Sequence, residues 1–429
     1  MPLHHLSNLP PLLGLCLLAG VAALAGHLVH RFTGFPRMLG YTAVGLLAGW
    51  ASVGDVAWPL AGGPLLLLQL AVGTSMLMAG AQLPLRWLAR QPWLLLQSVA
   101  ESSLALVATT AALLALGQGW AVALAVGAVA MAASPAVLLR ITADLRASGA
   151  VTDRSLLLAT LASLYAMLVV LALSAAVLPS TADGVGNAAD STIASLQLSA
   201  AGMGQLLLHA GMTALLAVVL AAALWPVLRW QSSRSDTTAL YLLAVLVAVC
   251  LLAAQWGGSA LLAMLLAGAL LRNLSPMPLI WPPAFLSANA MLNVLMFVLV
   301  ASMAAQVANL GTLAVVVAAV VVARMAAKMG GVLLLGLGTG IGWRRQWPVA
   351  CAQTPLSGLA LLLVSGLALQ WQGALPLVAA TVAAIALPMV VVSEVLGVLL
   401  ASTALWYSGE AHRGIGPGAR NNSEKRHDA

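Results

Sequence analysis

The sequence predicts an all-α polytopic membrane protein of about 13 transmembrane helices, because of its composition, its recurring apolar runs and the placement of its basic residues. Of its 429 residues, 62% are hydrophobic and 7% are charged, whereas soluble domains carry about 25% charged residues. Apolar runs of about 20 residues, enough to cross a hydrocarbon core about 30 Å thick, recur throughout. They lie near residues 10–30, 35–54, 60–81, 92–116, 119–140, 155–178, 200–228, 238–256, 258–272, 284–306, 309–336, 346–369 and 374–406.

The basic residues support this count independently. Alternate connections, beginning after the first run and including the C-terminal tail, hold all but two of the lysines and arginines, and the other connections hold none. These residues are Arg31, Arg37, Arg86, Arg90, Arg140, Arg146, Arg154, Arg229, Arg234, Arg272, Arg344, Arg345, Arg413, Arg420, Lys425 and Arg426. The positive-inside rule then predicts an external N-terminus, a cytoplasmic C-terminus and an odd number of spans. The net charge of +7 is therefore explained by the membrane topology, and it indicates no nucleic-acid partner.

The individual runs differ in length and in small-residue content. No convincing small-residue cleavage site follows the first run, so we expect a retained span rather than a signal peptide. The second run contains Gly45 and Gly49, which permit close helix approach. The run near 258–272 is short, and the run near 200–228 is long enough to need tilt.

Two of the runs carry a hydroxyl-proline step near their middle, at Ser134-Pro135 and Thr354-Pro355. Proline removes a backbone donor and clashes with the preceding turn, so both helices should be broken or kinked there. Paired interruptions in corresponding positions of two halves are the best sequence pointer to a transporter's binding site. Two ordinary proline kinks are the alternative, since proline is common in transmembrane helices.

Soluble-enzyme chemistry has no support in the sequence. The three cysteines, Cys16, Cys250 and Cys351, are scattered through apolar runs without metal-ligand spacing or an evident disulfide. There is also no phosphate-binding loop or nucleophile motif. We therefore expect no enzyme activity and no cofactor.

Several motifs, in this order and spacing, resemble monovalent cation:proton antiporters, the group that includes Kef-type potassium efflux systems and bacterial sodium/proton exchangers. They are PRMLGY at 36–41 before a glycine-rich helix, ASPAVLLR at 133–140 before a short charged loop, and VARMAAKMG at 322–330. The similarity covers about residues 30–400. The resemblance implies inverted repeats with two discontinuous crossing helices, a homodimer in a bacterial-type inner (plasma) membrane, and a small inorganic ion as the transported partner.

The resemblance also implies a two-part architecture in which a mobile core moves against a dimerisation scaffold. The scaffold would comprise residues 1–90 and 231–306, and the core residues 91–178 and 307–407. Residues 179–230 would form an outer loop and linker helix, and residues 408–429 a cytoplasmic polar tail. We expect this short tail to contain no nucleotide-binding domain of the Kef type.

One part of the family's pattern is missing. The family supplies an intramembrane aspartate, often paired with Asp, Asn or Gln, that binds the cation when ionised and carries the proton when protonated. The resemblance places this pair on Ser163 and Leu164. A register shift does not restore it, because no acidic residue lies between Asp153 and Asp183. Ser163 can ligate a cation but cannot titrate near neutral pH.

Ionisable side chains inside the apolar runs are the remaining candidates, since intramembrane charge is expensive and usually functional. Lys328 lies on the family's basic helix and would lack the aspartate partner, while Arg324, one turn earlier, would be a fixed charge. Glu101 and Glu394 are candidate relocated carboxylates, and either could face these basic groups. His209 is more often a packed histidine than a proton relay. Lys328 could instead extend to the cytoplasmic interface, and either acid could be a structural ion pair or a neutral, hydrogen-bonded acid.

The leading hypothesis is a secondary-active transporter that exchanges Na⁺ or K⁺ for protons by movement of its core, with an altered ion site. The crossing helices would line this site with Ser134, Pro135, Ser163, Gln353, Thr354 and Ser357. One alternative is a transport-inactive relative that acts as a membrane interaction protein, in which Leu164→Asp should create cation binding. The other is a transporter of an anion or neutral solute, because arginine and lysine dominate the core.

Overall fold

The computed structural model describes residues 11–51, 58–176, 200–230, 236–275, 279–307, 310–336, 338, 340, 342–373 and 375–411, and all regular secondary structure within them is helical. The first eight helices are α1 (Pro11–Thr33), α2 (Met38–Trp50), α3 (Gly62–Gly80), α4 (Leu85–Leu88), α5 (Pro92–Ala115), α6 (Trp120–Ala130), α7 (Pro135–Leu145) and α8 (Ala150–Ala176). The others are α9 (Ala200–Trp230), α10 (Asp236–Trp256), α11 (Ala260–Leu274), α12 (Pro283–Val307), α13 (Leu310–Gly336), α14 (Trp343–Ala352), α15 (Gly358–Trp371) and α16 (Pro376–Ser408).

The helices follow the predicted apolar runs. In the described part of the chain, nine spans are long and apolar enough to cross a membrane, and four shorter apolar helices accompany them. The predicted outer loop at 179–199 and tail residues 412–429 lie outside the described residues.

Both predicted interruptions are present, and they divide two of the runs into helix pairs. The run near 119–140 is helical up to Ala130 and again from Pro135. The run near 346–369 is helical up to Ala352 and again from Gly358. Proline suits the first helical position because its missing N–H would have no helical partner there. The structure therefore confirms two discontinuous helices rather than two simple kinks.

The helices form two bundles in the described chain. The crossing bundle comprises α5–α8 and α13–α16, and the flanking bundle comprises α1–α3 and α9–α12. Within the flanking bundle, Gly45 and Gly49 of α2 lie against the backbone of Val298 and Ser302 in α12, where an added Cβ would overlap carbonyl oxygens. The predicted role of these glycines in close helix approach is confirmed.

Four of the connections that carry arginine lie together at one end of the molecule. Arg37 donates its backbone N–H to Asp144 Oδ2 at 3.0 Å, which joins the start of α2 to the end of α7. Asn273 donates to the Leu83 carbonyl at 3.0 Å, which joins the end of α11 to the end of α3. We call this the basic end and the other the opposite end.

Glu410, just after α16, explains why α8 begins at Ala150 rather than near residue 155. Its carboxylate accepts hydrogen bonds from the backbone N–H groups of Val151 and Thr152, both at 2.8 Å, and from the Thr152 hydroxyl at 2.9 Å. A carboxylate accepts hydrogen bonds from the free N–H groups of a helix N-terminus, and its negative charge interacts favourably with the positive end of the helix dipole. The end of the described chain is thereby fixed to the crossing bundle at its basic end.

Candidate functional site

The two helix breaks contact each other in the centre of the crossing bundle. Ser134 donates its backbone N–H to the Pro355 carbonyl at 3.1 Å, and its hydroxyl lies 2.5 Å from that of Ser357. Ser134 also caps α7 by accepting the Val137 N–H at 3.3 Å, with Pro135 in the first helical position. The structure thus brings both hydroxyl-proline steps into one crossing point.

Arg324 of α13 binds both broken helices and is fully buried. Its guanidinium donates to the carbonyls of Ala130 at 3.1 Å, Ala132 at 2.7 Å and Thr354 at 2.6 Å. These oxygens follow the C-terminal ends of α6 and α14, where each helix dipole leaves roughly half a negative charge. Arg324 therefore satisfies the acceptors that the breaks release and balances the two negative helix ends.

The N-terminal ends of α7 and α15 reach the same point, and the sequence places no acidic residue beside either of them. Their N-cap residues are Ser134 and Ser357, and no aspartate or glutamate occurs in residues 130–137 or 350–360. Helix N-termini carry roughly half a positive charge each. Arg324 is also cationic, and the two breaks themselves carry no acidic side chain that could attract a cation.

Ser163 of α8 lies beside the first break, at the position where the resemblance places an aspartate. Its hydroxyl is 2.5 Å from the Ala133 carbonyl and 2.9 Å from the Ala159 carbonyl. Together with Arg324, it occupies the carbonyls that the first break frees. Protein donors therefore bind the carbonyls of Ala130, Ala132 and Ala133 in this conformation.

Gln353 and Thr354 follow the second broken helix and are fully buried. Gln353 donates to the Ser155 carbonyl of α8 at 3.0 Å, while its own Oε1 has no hydrogen-bond partner within the described ranges. The Thr354 hydroxyl donates back to the Cys351 carbonyl at 2.7 Å. Of these two side chains, only Gln353 presents a buried oxygen with no partner.

Lys328 pairs with Glu101, and both side chains are fully buried. The distance from Lys328 Nζ to Glu101 Oε1 is 3.2 Å, and Gly331 packs against the Glu101 backbone. Lys328 therefore does not extend to an interface, and its partner is an acid on α5. The pair lies inside the crossing bundle, between α5 and α13.

Glu394 of α16, in contrast, faces the flanking bundle. The Thr42 hydroxyl of α2 donates to Glu394 Oε1 at 2.6 Å and is also 3.1 Å from the Met38 carbonyl. Glu394 is 1% exposed, and its Oε2 has no partner in the described part of the chain. Of the two acids that could face the basic groups, Glu101 contacts Lys328, whereas Glu394 contacts Thr42. Sequence reasoning missed Thr42, since one hydroxyl in an apolar helix carries no distinguishing signal.

His209 of α9 lies away from the crossing point. Its Nδ1 is 3.0 Å from the Gln205 carbonyl of the preceding turn, and the ring lines a cavity at the opposite end. A histidine held by its own helix at a cavity wall is a packed, half-buried side chain. Nothing in its surroundings connects it to the buried acids.

Two cavities enter between the bundles from opposite ends. The basic-end cavity has a volume of about 860 Å³ and lies between α7–α8 and α3–α11. The opposite-end cavity has a volume of about 320 Å³ and lies between α8, α15 and α3–α11. Along α8 the first cavity reaches Leu157 and the second begins at Met167. Ser163 lies in the buried stretch that separates them.

The chain is similar in fold to a solved membrane protein at low sequence identity. Two structures of the sodium proton antiporter MjNhaP1 from Methanocaldococcus jannaschii match it. The first, at pH 8, has a TM-score of 0.64 and 14% identity over 95% of this chain and 100% of MjNhaP1. The second, an electron-microscopy map, has a TM-score of 0.64 and 16% identity over 92% and 97% of the two chains. A search of curated proteins gives no match.

The sequence also matches a family description that covers most of its length. The description is that of the transmembrane sodium/hydrogen exchanger, and the match extends over residues 17–405. This range includes both broken helices, Arg324, the Lys328–Glu101 pair and Glu394. The chain is therefore an integral membrane protein that belongs to the sodium/hydrogen exchanger family.

Proposed function

We propose that this protein exchanges a monovalent cation, Na⁺ or K⁺, for protons by alternating access, and that its crossing bundle moves against its flanking bundle. The observation that carries the proposal is the pair of cavities at the two ends of α8. Both lie between the same bundles, and only the stretch that contains Ser163 separates them. A modest displacement of one bundle would close one cavity and extend the other.

In this proposal, the crossing bundle is the mobile core and the flanking bundle is the scaffold of a homodimer. The basic end faces the cytoplasm of a bacterial-type plasma membrane, as the positive-inside rule predicts. Because the larger cavity is at that end, this conformation faces inward. Arg324, Ser134 and Ser357 hold the two broken helices together, so that the core moves as one body.

Proton-coupled cation flux is the direct test. In proteoliposomes that contain a pH-sensitive dye, an inward gradient of NaCl or KCl should drive proton efflux, and choline chloride should not. Vesicles without protein give the leak rate. If neither Na⁺ nor K⁺ moves protons faster than this leak, the antiport proposal is wrong.

Alternating access predicts reciprocal accessibility of the two cavities. Thr142 lines the basic-end cavity and Ser174 the opposite one, and each hydroxyl donates only to its own helix. In a background without Cys16, Cys250 and Cys351, we expect an impermeant maleimide to label Thr142→Cys and Ser174→Cys from opposite sides. Turnover should raise one labelling rate and lower the other, and parallel changes at both positions would contradict the mechanism.

Transport of an anion or a neutral solute is the second candidate, and the charge of the crossing point favours it. Arg324 and the N-terminal ends of α7 and α15 meet there without an acidic residue nearby in sequence. The same vesicles discriminate between the candidates, because chloride or sulfate gradients would then move protons or charge while Na⁺ and K⁺ would not. A transport-inactive relative would respond to none of these ions.

A further inference from the structure

We infer that Glu394 is the carboxylate at which cation and proton compete in this protein, in place of the aspartates absent at Ser163 and Leu164. The inference rests on the proposed antiport function and assigns its exchange site to the boundary between α16 and α2. An exchange site needs a negative group that either ion can neutralise. The crossing point itself supplies no acid.

Only Glu101 and Glu394 are carboxylates buried to 1% exposure or less in the described residues, and their surroundings differ. Lys328 already neutralises Glu101 within the crossing bundle. Glu394 makes no ion pair with any described side chain; its polar contact is the Thr42 hydroxyl. A buried anion without a counter-charge is expensive, so Glu394 requires either a proton or a cation.

The contact with Thr42 accommodates both states of the acid. When Glu394 is ionised, the Thr42 hydroxyl donates to Oε1 and Oε2 stays available as a cation ligand. When Glu394 is protonated, the acid can donate to Thr42 Oγ, which is then free to donate to the Met38 carbonyl 3.1 Å away. Neither state leaves a hydroxyl proton without an acceptor.

Glu394 lies at the boundary between the two bundles, close to the second break. Gly397, one turn further along α16, packs against the backbone of Pro355 at the second break, and residues three apart share a helix face. Thr42 belongs to the flanking bundle, so displacement of one bundle against the other separates the Thr42–Glu394 contact. The carboxylate therefore lies where movement of the crossing bundle changes its surroundings.

In the described part of the chain, no other ionisable group pairs with Glu394. The helices packed against α16 bring several charged or titratable side chains. These are Tyr41 of α2, Arg140 and Asp144 of α7, Asp153, Arg154 and Tyr165 of α8, Arg324 and Lys328 of α13, and Arg344, Arg345 and Cys351 of α14. None of them forms an ion pair or a hydrogen bond with Glu394 among the described residues.

The first test is Glu394→Gln, which keeps the size of the side chain and removes its charge. We expect Na⁺- or K⁺-driven proton flux to fall to the level of protein-free vesicles. The matched control is Ser402→Ala, which removes a fully buried hydroxyl on the same helix and should keep wild-type flux. Active wild type with fully active Glu394→Gln would overturn this inference alone, whereas inactive wild type would overturn the antiport proposal.

A second measurement uses the unmodified chain and does not depend on a variant that folds. Dicyclohexylcarbodiimide reacts with protonated carboxyl groups in apolar surroundings, and peptide mass spectrometry locates the adduct. We expect an adduct at Glu394 that diminishes as NaCl or KCl is raised at constant ionic strength with choline chloride. Absence of the adduct, or an adduct insensitive to both cations, would overturn the inference.

Discussion

Replacing Lys328 with Met should lower the free energy of unfolding by about 3–5 kcal/mol, because it leaves the Glu101 carboxylate buried without its counter-charge. The ammonium and carboxylate are 3.2 Å apart and both side chains are fully buried. The double variant Glu101→Gln/Lys328→Met removes both charges together and should regain most of the loss, since apolar replacement of a whole buried pair is often neutral. The midpoint of thermal unfolding in detergent measures both.

The chain offers an exposed ion pair as a matched control for Lys328→Met. Arg37 and Asp144 are 3.9 Å apart, and the Arg37 side chain is 47% exposed. Arg37→Gln should therefore change stability little, because water and salt screen exposed pairs. If Lys328→Met were no more destabilising than Arg37→Gln, burial of the Lys328–Glu101 pair would be contradicted.

Replacing Arg324 with Gln should abolish transport and lower the free energy of unfolding by at least about 3 kcal/mol, since each buried acceptor left unsatisfied costs roughly 1–3 kcal/mol. The guanidinium donates to three carbonyls that belong to both broken helices. Without it, the negative ends of α6 and α14 face each other unbalanced. The crossing point should then lose its fixed geometry.

The variant Arg324→Lys distinguishes the effect of the positive charge from the effect of the guanidinium geometry. Lysine keeps the positive charge but cannot reproduce the planar fork that reaches three oxygens, so stability should recover only in part. Met325→Leu, a volume-conserving change on the same helix, should cost less than about 1.5 kcal/mol. Recovery of full transport and stability by Arg324→Lys would show that charge alone matters at this position. Thermal unfolding and vesicle flux, measured on the same preparations, provide the comparison.

The sequence by itself determined the architecture. Hydrocarbon requires each spanning segment to satisfy its own backbone groups, so apolar runs of sufficient length predict helices directly. Proline acts on its own helix, so the breaks at Ser134-Pro135 and Thr354-Pro355 were predictable from local sequence, and the structure confirms them. The absence of the family's acidic pair at Ser163 and Leu164 was equally evident from the sequence.

Only the tertiary structure decided how the buried charges are paired. Glu101 and Glu394 look alike in sequence, since each is a lone acid beside serine in an apolar run. Their partners are 227 and 352 positions away, and helix packing alone brings Lys328 to the first acid and Thr42 to the second. Electrostatic interactions depend on distance and burial, which a pattern along one helix does not contain. The same chain therefore holds one neutralised acid and one acid without a counter-charge.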